Sequence, residues 1–363
     1  MRIAIIGAGI SGAILAHELK NTVVFERSSS IGGRLAQGYF TDQNVFDQGA
    51  TLFKESVDYI QNGKQSSFNF LQYLQNNIPN LQTKSLTSYA NAYFAKSGMQ
   101  DIAKQLLAQT EVRLNHNLER ISRTNGENQW ILHFSNKIQS TFDIIIFTQP
   151  IPIAISTLKN SGIMQDWDNF TKFTSEYRSC LVLTAIWKNL PEKIVDKIQN
   201  LPSTSLQKDI DDEYISIESN KYPPETKSTV IISIQFSAAF SSRNLERWCD
   251  KEQTPLPVAI TSGKVYFEKF FERNQIPEMS QIPPYEMKAR KWRYSSMETP
   301  LLPANEAINF DSKIFQSYQE LCQKYGVWLS GDWIWASKIP RCAIGKIILS
   351  DTIKILYTNK MNQ

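Results

Sequence analysis

The chain has 363 residues, of which 42% are hydrophobic and 20% charged, a composition typical of globular proteins. This length accommodates one large or two medium domains. A net charge of +4 is too small to predict nucleic-acid binding, and no run of about 18 apolar residues predicts a membrane-spanning helix.

The cysteines and histidines predict neither a metal site nor a catalytic triad. Cys180, Cys249, Cys322 and Cys342 form no CxxC pair and no metal-ligand spacing, and the three histidines are scattered. We therefore expect reduced thiols in a cytoplasmic protein. The short N-terminal apolar run is interrupted by glycines, so we do not expect a signal peptide.

The first 26 residues predict a strand, a glycine-rich turn, a helix, a second strand and an acidic residue. The turn is GAGISG (residues 7–12), the helix is predicted over residues 13–20, and Glu26 ends the second apolar run. This order is typical of a βαβ unit that binds a dinucleotide.

Each part of this motif has a physical role. Gly7 permits the tight turn, Gly9 lets the backbone approach a pyrophosphate at the positive helix N-terminus, and Gly12 allows the helix to pack closely on the strand. The Glu26 carboxylate can accept hydrogen bonds from an adenosine ribose. A glycine-tolerant turn in another α/β protein would not explain Glu26.

Periodicity predicts the elements that follow in the first half of the chain. Helical spacing of apolar residues predicts helices, and alternating or continuous apolar runs predict strands. The run FDIIIFT (residues 142–148) suits a strand that is buried on both faces of a parallel sheet. The predicted helices are 67–75 and 100–109; the predicted strands are 111–114, 118–121, 130–134 and 142–148, with a turn at Asn125-Gly126.

The second half of the chain has a different pattern. Strands predicted over residues 180–187, 214–217 and 230–234 are separated by turn signals, which favours an antiparallel sheet in a second domain. A strand at 327–330 then precedes Gly331-Asp332, and a helix is predicted over 343–356. An aspartate after a strand can bind a polyol, and a helix N-terminus can face an anionic ring edge.

These motifs together resemble the FAD-dependent amine-oxidase superfamily, and within it the renalase-like enzymes. The superfamily resemblance is carried by GAGISG with Glu26, by Gly32-Gly33-Arg34, by FDIIIFTQP and by Gly331-Asp332. The closer resemblance is carried by Asp47-Gln48-Gly49-Ala50, by Gly98-Met99 with Pro150-Ile151-Pro152, and by the segment KWRYS (residues 291–295).

The resemblance implies an α/β fold in which a discontinuous Rossmann-like FAD-binding domain carries an inserted α+β substrate domain with an antiparallel or mixed sheet. We expect the FAD-binding domain over residues 1–52, 96–158 and 290–363. We expect the substrate domain over residues 53–95 and 159–289.

The implied function is oxidation of isomeric dihydro-NAD(P) by hydride transfer to non-covalently bound FAD, with oxygen as acceptor. The implied partner is thus a small molecule, a dihydronicotinamide dinucleotide. Two alternatives remain open: an amine oxidase or desaturase acting on another small substrate, and a flavin-binding protein that has lost catalysis.

Carried over position by position, the resemblance assigns site residues. Trp292 and Tyr294 are expected to form the pocket wall near the flavin ring and are the candidate catalytic residues. Arg34 is expected near the pyrophosphate, and the backbone of Leu118 near adenine. The cofactor-binding residues are expected to be Gly7, Gly9, Ile10, Ser11, Gly12, Glu26, Arg27, Gly33, Arg34, Gly49, Ala50, Leu118, Thr148, Gly331, Asp332, Cys342 and Ala343.

Two positions depart from the family pattern. Arg341, after Pro340 and before the last predicted helix, and Lys346, in that helix's first turn, stand where relatives usually carry small residues. We expect the Arg341 guanidinium to lie within reach of the flavin N1–C2 edge or the pocket mouth; the alternative is that it faces solvent.

Overall fold

The computed structural model describes residues 1–86, 91–124, 129–163, 165–207, 213–303, 306–335 and 338–361; the predicted Asn125-Gly126 turn lies outside them. The strands are β1 (Ile3–Ile6), β2 (Thr22–Phe25), β3 (Gln37–Tyr39), β4 (Val45–Asp47), β5 (Phe53–Lys54), β6 (Ser56–Gln61), β7 (Lys64–Asn69), β8 (Thr83–Ser85), β9 (Ala92–Ala95), β10 (Glu111–Arg113), β11 (Leu118–Arg123), β12 (Trp130–Phe134), β13 (Gln139–Phe142), β14 (Ile144–Phe147), β15 (Tyr177–Trp187), β16 (Thr204–Gln207), β17 (Glu213–Ile217), β18 (Val230–Gln235), β19 (Glu286–Met297), β20 (Ile308–Asn309) and β21 (Val327–Leu329). The α-helices are α1 (Ile10–Glu18), α2 (Phe70–Asn77), α3 (Met99–Leu106), α4 (Ile151–Asn160), α5 (Glu192–Gln199), α6 (Glu218–Lys221), α7 (Ala238–Asn244), α8 (Pro257–Arg273), α9 (Lys313–Tyr325), α10 (Asp332–Trp335) and α11 (Ile339–Met361).

A parallel sheet of order β10-β2-β1-β14-β21 forms one half of the α/β fold. Every side chain of β1 and β14 is buried, as the apolar runs in the sequence predict. The chain leaves β1 through α1 to reach β2 on one side, whereas β14 pairs on the other side. The strand order therefore reverses between β1 and β14, and ligands of such sheets bind at the carboxyl ends of the strands around that point.

A second sheet, of order β16-β17-β18-β15-β19, has antiparallel pairing throughout, as predicted. Its strand β19 pairs with β15 up to Met297, so it continues past residue 290, where we expected the chain to return to the FAD-binding domain. No glycine or proline interrupts residues 286–297, so the strand continues, with one shift of register between the pairs Cys180–Trp292 and Arg178–Ser296.

Two large hydrophobic cores lie beneath these sheets. One contains β1, β14, β21 and α11, and the other packs α5 and α8 against β15 and β18. Phe53, Phe70 and Leu74 belong to the first core, although we expected residues 53–95 to join the substrate domain. The last helix, α11, contacts β5, β6 and β7 of this segment.

The helix predicted over residues 67–75 is shorter and begins later. Residues 64–69 form β7, which pairs with β6 across a turn at Asn62-Gly63, where both residues have positive φ. The helix α2 then begins after Asn69, whose side chain accepts a hydrogen bond from the Gln72 backbone N–H at 2.8 Å. Strand pairing and this N-cap together move the helix start to Phe70.

The last helix begins at Ile339, four residues before the predicted start. Pro340 fits its first turn because a backbone N–H at that position has no intrahelical acceptor. Arg341 and Cys342 consequently lie in the first turn and Lys346 in the second. Within the described residues, no helix combines the length and apolar character needed to cross a membrane.

Candidate functional site

The carboxyl edge of the parallel sheet and one face of the antiparallel sheet enclose a cavity of about 990 Å³. This volume lies at the upper end of the range of ligand pockets, about 300–1,000 Å³. Most of the site residues predicted from the sequence line it. These are Gly7, Gly9, Ile10, Ser11, Glu26, Arg27, Gly33, Arg34, Gly49, Ala50, Thr148, Trp292, Tyr294, Asp332 and Cys342.

The glycine turn brings backbone to one end of the cavity. Gly7 has a φ of 114°, and a Cβ at this position would lie 2.8 Å from Thr148 Oγ1. Gly33 lies so close to the glycine turn that a Cβ added to it would be 3.2 Å from the Gly9 Cα. The first backbone bond of α1 runs from the Ala13 N–H to the Gly9 carbonyl, which leaves the N–H groups of the first turn for an anion.

Glu26 closes this turn from the neighbouring strand. Its carboxylate accepts hydrogen bonds at 2.9 Å from the backbone N–H of Ala8, within the turn, and from the backbone N–H of Ser28. The Ser28 hydroxyl donates to the same carboxylate. Glu26 thereby fixes the glycine turn as well as bordering the cavity.

Arg34, Asp332 and Tyr177 form a polar cluster further along the cavity. Arg34 Nη1 lies 2.6 Å from Asp332 Oδ2 and donates to the Ser295 carbonyl at 2.7 Å. The Tyr177 hydroxyl donates to the other oxygen of Asp332. Burial lowers the pKa of Arg34, but the facing carboxylate outweighs burial and raises it, so Arg34 stays charged. Burial and the Asp332 charge raise the pKa of Tyr177.

Residues 290–296 of β19 form another wall of the cavity. Trp292 Nε1 donates to the Gln48 carbonyl at 2.7 Å, and Gln235 Nε2 donates to the Gly49 carbonyl at 2.7 Å. The rings of Tyr294 and Tyr177 pack edge to face, with centroids 5.5 Å apart. The aromatic wall is thus bonded to the backbone segment that follows β4.

The cavity is strongly cationic. Six cationic side chains line it, against two carboxylates, Glu26 and Asp332, which already bind other groups of the protein. The cations are Arg27, Arg34, Lys251, Arg290, Lys291 and Arg293. An anionic ligand is therefore favoured over a cationic one.

Two cysteines also line the cavity, and both are protonated thiols. Burial raises the pKa of Cys180 to about 12 and that of Cys342 to about 11. A buried thiol of this kind is a weak nucleophile. Across the described residues, no group of three histidine, cysteine or carboxylate side chains is arranged to hold a metal ion.

Four predicted site residues do not line the cavity. Gly12 lies behind the turn, where a Cβ would overlap the Gly7 carbonyl, and Gly331 passes close to the Gln149 carbonyl. Leu118 is buried at the start of β11, and Ala343 is buried within α11. Gly12 and Gly331 therefore serve chain packing.

Arg341 does not face the cavity, contrary to our expectation, and it does not face solvent. Its side chain is 3% exposed and donates hydrogen bonds to the carbonyls of Trp335, Pro303 and Glu306 at 2.7, 2.5 and 2.6 Å. Because α11 begins earlier than predicted, the guanidinium is directed at backbone carbonyls of residues that precede the helix. It holds this backbone in place and does not contact the cavity.

Sequence reasoning missed Tyr177 and Arg290. Tyr177 was not predicted as a site residue because the predicted strand begins only at Cys180, whereas β15 begins at Tyr177. Arg290 lies in the segment of β19, residues 290–296, that lines the cavity throughout. Its position two residues before Trp292 was the available signal.

Family comparisons agree with this arrangement. The model for NAD(P)-binding Rossmann-like domains matches residues 5–74, and the model for flavin containing amine oxidoreductases matches residues 69–241. Comparison with curated protein sequences gives no significant match.

Solved structures resemble the whole chain. Cyclohexylamine oxidase from Brevibacterium oxydans IH-35A is 11% identical with a TM-score of 0.60, and the match covers 100% of this chain and 99% of the oxidase. Wild-type putrescine oxidase bound to putrescine is 12% identical with a TM-score of 0.57, covering 98% and 99% of the two chains. An oxidoreductase from Methanosarcina mazei is 11% identical with a TM-score of 0.57, covering 97% and 100%. At these identities the likeness establishes the fold.

Proposed function

We propose that the chain is an FAD-dependent oxidoreductase of the amine-oxidase superfamily and that it oxidises a small anionic hydride donor, an isomer of dihydro-NAD(P). The observation that carries the proposal is the excess of cationic side chains around a cavity walled by Trp292 and Tyr294. A phosphorylated donor is attracted to such a cavity, whereas a protonated amine is repelled.

The residues present fit FAD. The glycine turn and the free N–H groups at the start of α1 suit a pyrophosphate, and Glu26 borders the cavity where an adenosine ribose would lie. Asp332 is held in place by Arg34 and Tyr177, and its carboxylate suits the hydroxyl groups of the ribityl chain. Bound FAD would supply the two-electron acceptor for the reaction.

We further propose that FAD is bound without a covalent bond. The cysteines that line the cavity, Cys180 and Cys342, are protonated because burial raises the pKa of each thiol. A thiol in this state is poorly suited to attack a flavin. Acid precipitation of the yellow protein is expected to release the flavin into the supernatant, and flavin retained on the pellet would overturn this part of the proposal.

The chain's own residues would act by position and charge. A dihydronicotinamide that loses a hydride becomes aromatic and releases no proton from carbon, so the oxidation requires no general base. Trp292, fixed by its bond to the Gln48 carbonyl, supplies a flat surface against which a ring can pack. Oxygen would then take up the two electrons together with two protons and leave as hydrogen peroxide.

Anaerobic stopped-flow reduction of the bound flavin tests the proposal. Isomeric dihydro-NAD(P) species are expected to bleach the flavin rapidly, and β-NADH slowly. A panel of aliphatic and aromatic amines serves as the competing set, because the family match and the resemblance to amine oxidases favour an amine as the second candidate.

Faster reduction by any amine would establish the second candidate in place of the first. If no donor reduces the flavin, the chain is a flavin-binding protein without this catalysis. Hydrogen peroxide formed in equal amount to the donor consumed would support oxygen as the acceptor.

A further inference from the structure

Arg290 stacks on the aromatic wall of the cavity. Its guanidinium lies 4.7 Å from the centre of the Trp292 ring, and Trp292 is itself fixed by its 2.7 Å hydrogen bond to the Gln48 carbonyl. Arg290 and Trp292 both line the cavity. The cation is thus held on a rigid support.

The Arg290 side chain lacks the polar partners that the two cationic side chains beside it have among the described residues. Lys291 Nζ donates to the Cys249 carbonyl at 3.2 Å, and Arg293 forms an ion pair with Glu246. Among the described residues, the Arg290 side chain has no hydrogen-bond or ion-pair partner. Burial and the nearby Arg27 charge lower the pKa of Arg290, with only the Cys249 thiol acting in the opposite direction.

A half-buried guanidinium without a counter-charge is unfavourable unless a ligand supplies one. Stacking on an indole occupies the flat face of the guanidinium but leaves its N–H groups free at the edge. That edge matches two oxygens of a phosphate or carboxylate in a bidentate arrangement. Lys251, which also lines the cavity, adds a second positive charge.

We infer that Arg290 is the anchor for the substrate's phosphate group and that it selects phosphorylated donors over uncharged ones. The identity of the donor rests on the proposed function; the anion anchor rests on the geometry of Arg290, Trp292 and Lys251. In this arrangement the donor's ring packs near Trp292 while its phosphate binds at the guanidinium edge.

The decisive experiment compares two donors that differ only in phosphate. Isomeric dihydronicotinamide mononucleotide and the corresponding riboside are each mixed anaerobically with the FAD-loaded protein, and flavin reduction is followed over a range of donor concentrations. In the wild-type protein we expect the phosphate to lower the apparent Kd about 10–100-fold, the range of charge-assisted hydrogen bonds.

Arg290→Gln is expected to remove this preference, because it should weaken binding of the mononucleotide far more than binding of the riboside. Arg290→Lys keeps the charge but loses the planar edge, so an intermediate preference is expected. Lys288→Gln is the matched control: Lys288 lies on the same strand, pairs with Glu286 at 3.1 Å, and does not line the cavity. Its preference for the phosphorylated donor should equal that of the wild type.

Calorimetry with inorganic pyrophosphate separates the anchor from the proposed reaction. Binding to the FAD-loaded wild type that is lost in Arg290→Gln supports the anchor even if neither donor reduces the flavin, in which case the proposed function alone fails. The inference is overturned if Arg290→Gln slows both donors by the same factor, if pyrophosphate does not bind, or if the variant loses FAD instead, since Arg290 would then serve the cofactor.

Discussion

Lys221 Nζ lies 2.6 Å from Asp47 Oδ2, and both side chains are completely buried. Lys221 also pairs with Glu218 at 3.1 Å, and the Asp47 backbone N–H donates to Glu218 at 2.9 Å. This cluster joins β4 to α6. Because Asp47 directly precedes Gln48, whose carbonyl holds Trp292, the ion pair also fixes the backbone behind the aromatic wall.

Replacing Lys221 by methionine should strongly destabilise the protein. The change leaves the Asp47 carboxylate buried without a cation, and we expect the free energy of unfolding to fall by about 3–5 kcal/mol. Urea denaturation of the FAD-loaded protein measures it. The control is Glu218→Gln: burial raises the pKa of Glu218, and so does the Asp47 charge, while Lys221 opposes them. A neutral amide there should cost far less, and equal losses in the two variants would contradict the prediction.

Lys346→Met should stabilise the protein at neutral pH. Lys346 Nζ is fully buried and has no hydrogen-bond partner in the part of the chain that the structure describes; it lies 5.3 Å from the centre of the Trp335 ring. Burial lowers the pKa of Lys346 to about 8 from its ordinary 10.5. At pH 7 the amine is charged in both the folded and unfolded states, so folding includes the full cost of burying the charge, about 3 kcal/mol.

The same pKa gives the advantage of Lys346→Met a defined pH dependence. Between pH 8 and 10.5 the unfolded chain binds this proton more strongly than the folded protein does. The contribution of Lys346 to the free energy of unfolding of the wild type therefore rises with pH. The difference between wild type and variant should therefore shrink from pH 7 to pH 10, as followed by urea denaturation at each pH. Lys354→Met, on the same helix but exposed, should show no such trend.

Glu26→Ala should weaken FAD binding. The change removes the carboxylate that holds the Ala8 backbone N–H and therefore loosens the glycine turn. Each charge-assisted hydrogen bond lost is worth about 1.5–3 kcal/mol, so we expect the Kd for FAD to rise at least tenfold, measured by flavin fluorescence on titration into apoprotein. Glu26→Gln retains an acceptor oxygen, so its Kd for FAD should lie between those of the wild type and the alanine variant. An unchanged Kd in the alanine variant would remove Glu26 from the cofactor site.

Arg341→Met should lower stability and leave the flavin potential unchanged. The substitution deprives three backbone carbonyls of their donor, and we expect the free energy of unfolding to fall by about 3 kcal/mol. The guanidinium is directed away from the cavity, so redox titration should show a shift of less than about 30 mV, the equivalent of 1.4 kcal/mol for two electrons. A larger shift in the flavin potential with unchanged stability would contradict this prediction and indicate that Arg341 acts on the flavin.

The sequence by itself determined the nucleotide-binding half of the fold. Gly7, Gly12 and Glu26 are local signals, since a turn, a helix start and the end of a strand follow from residues adjacent in the chain. The apolar runs of β1 and β14 likewise predict strands buried on both faces. These signals need no knowledge of distant partners.

Only the tertiary structure decided the charge and contacts of the site. Tyr177, Arg290 and Asp332 come from distant parts of the chain, and their grouping depends on how β15 and β19 pack over the carboxyl edge of the parallel sheet. The direction of Arg341 depended on where α11 begins and on the positions of three backbone carbonyls, two of them more than 30 residues away in the chain. The direction of a side chain depends on where its helix or strand begins and on what packs against it. The residue type at a single position predicts neither of these.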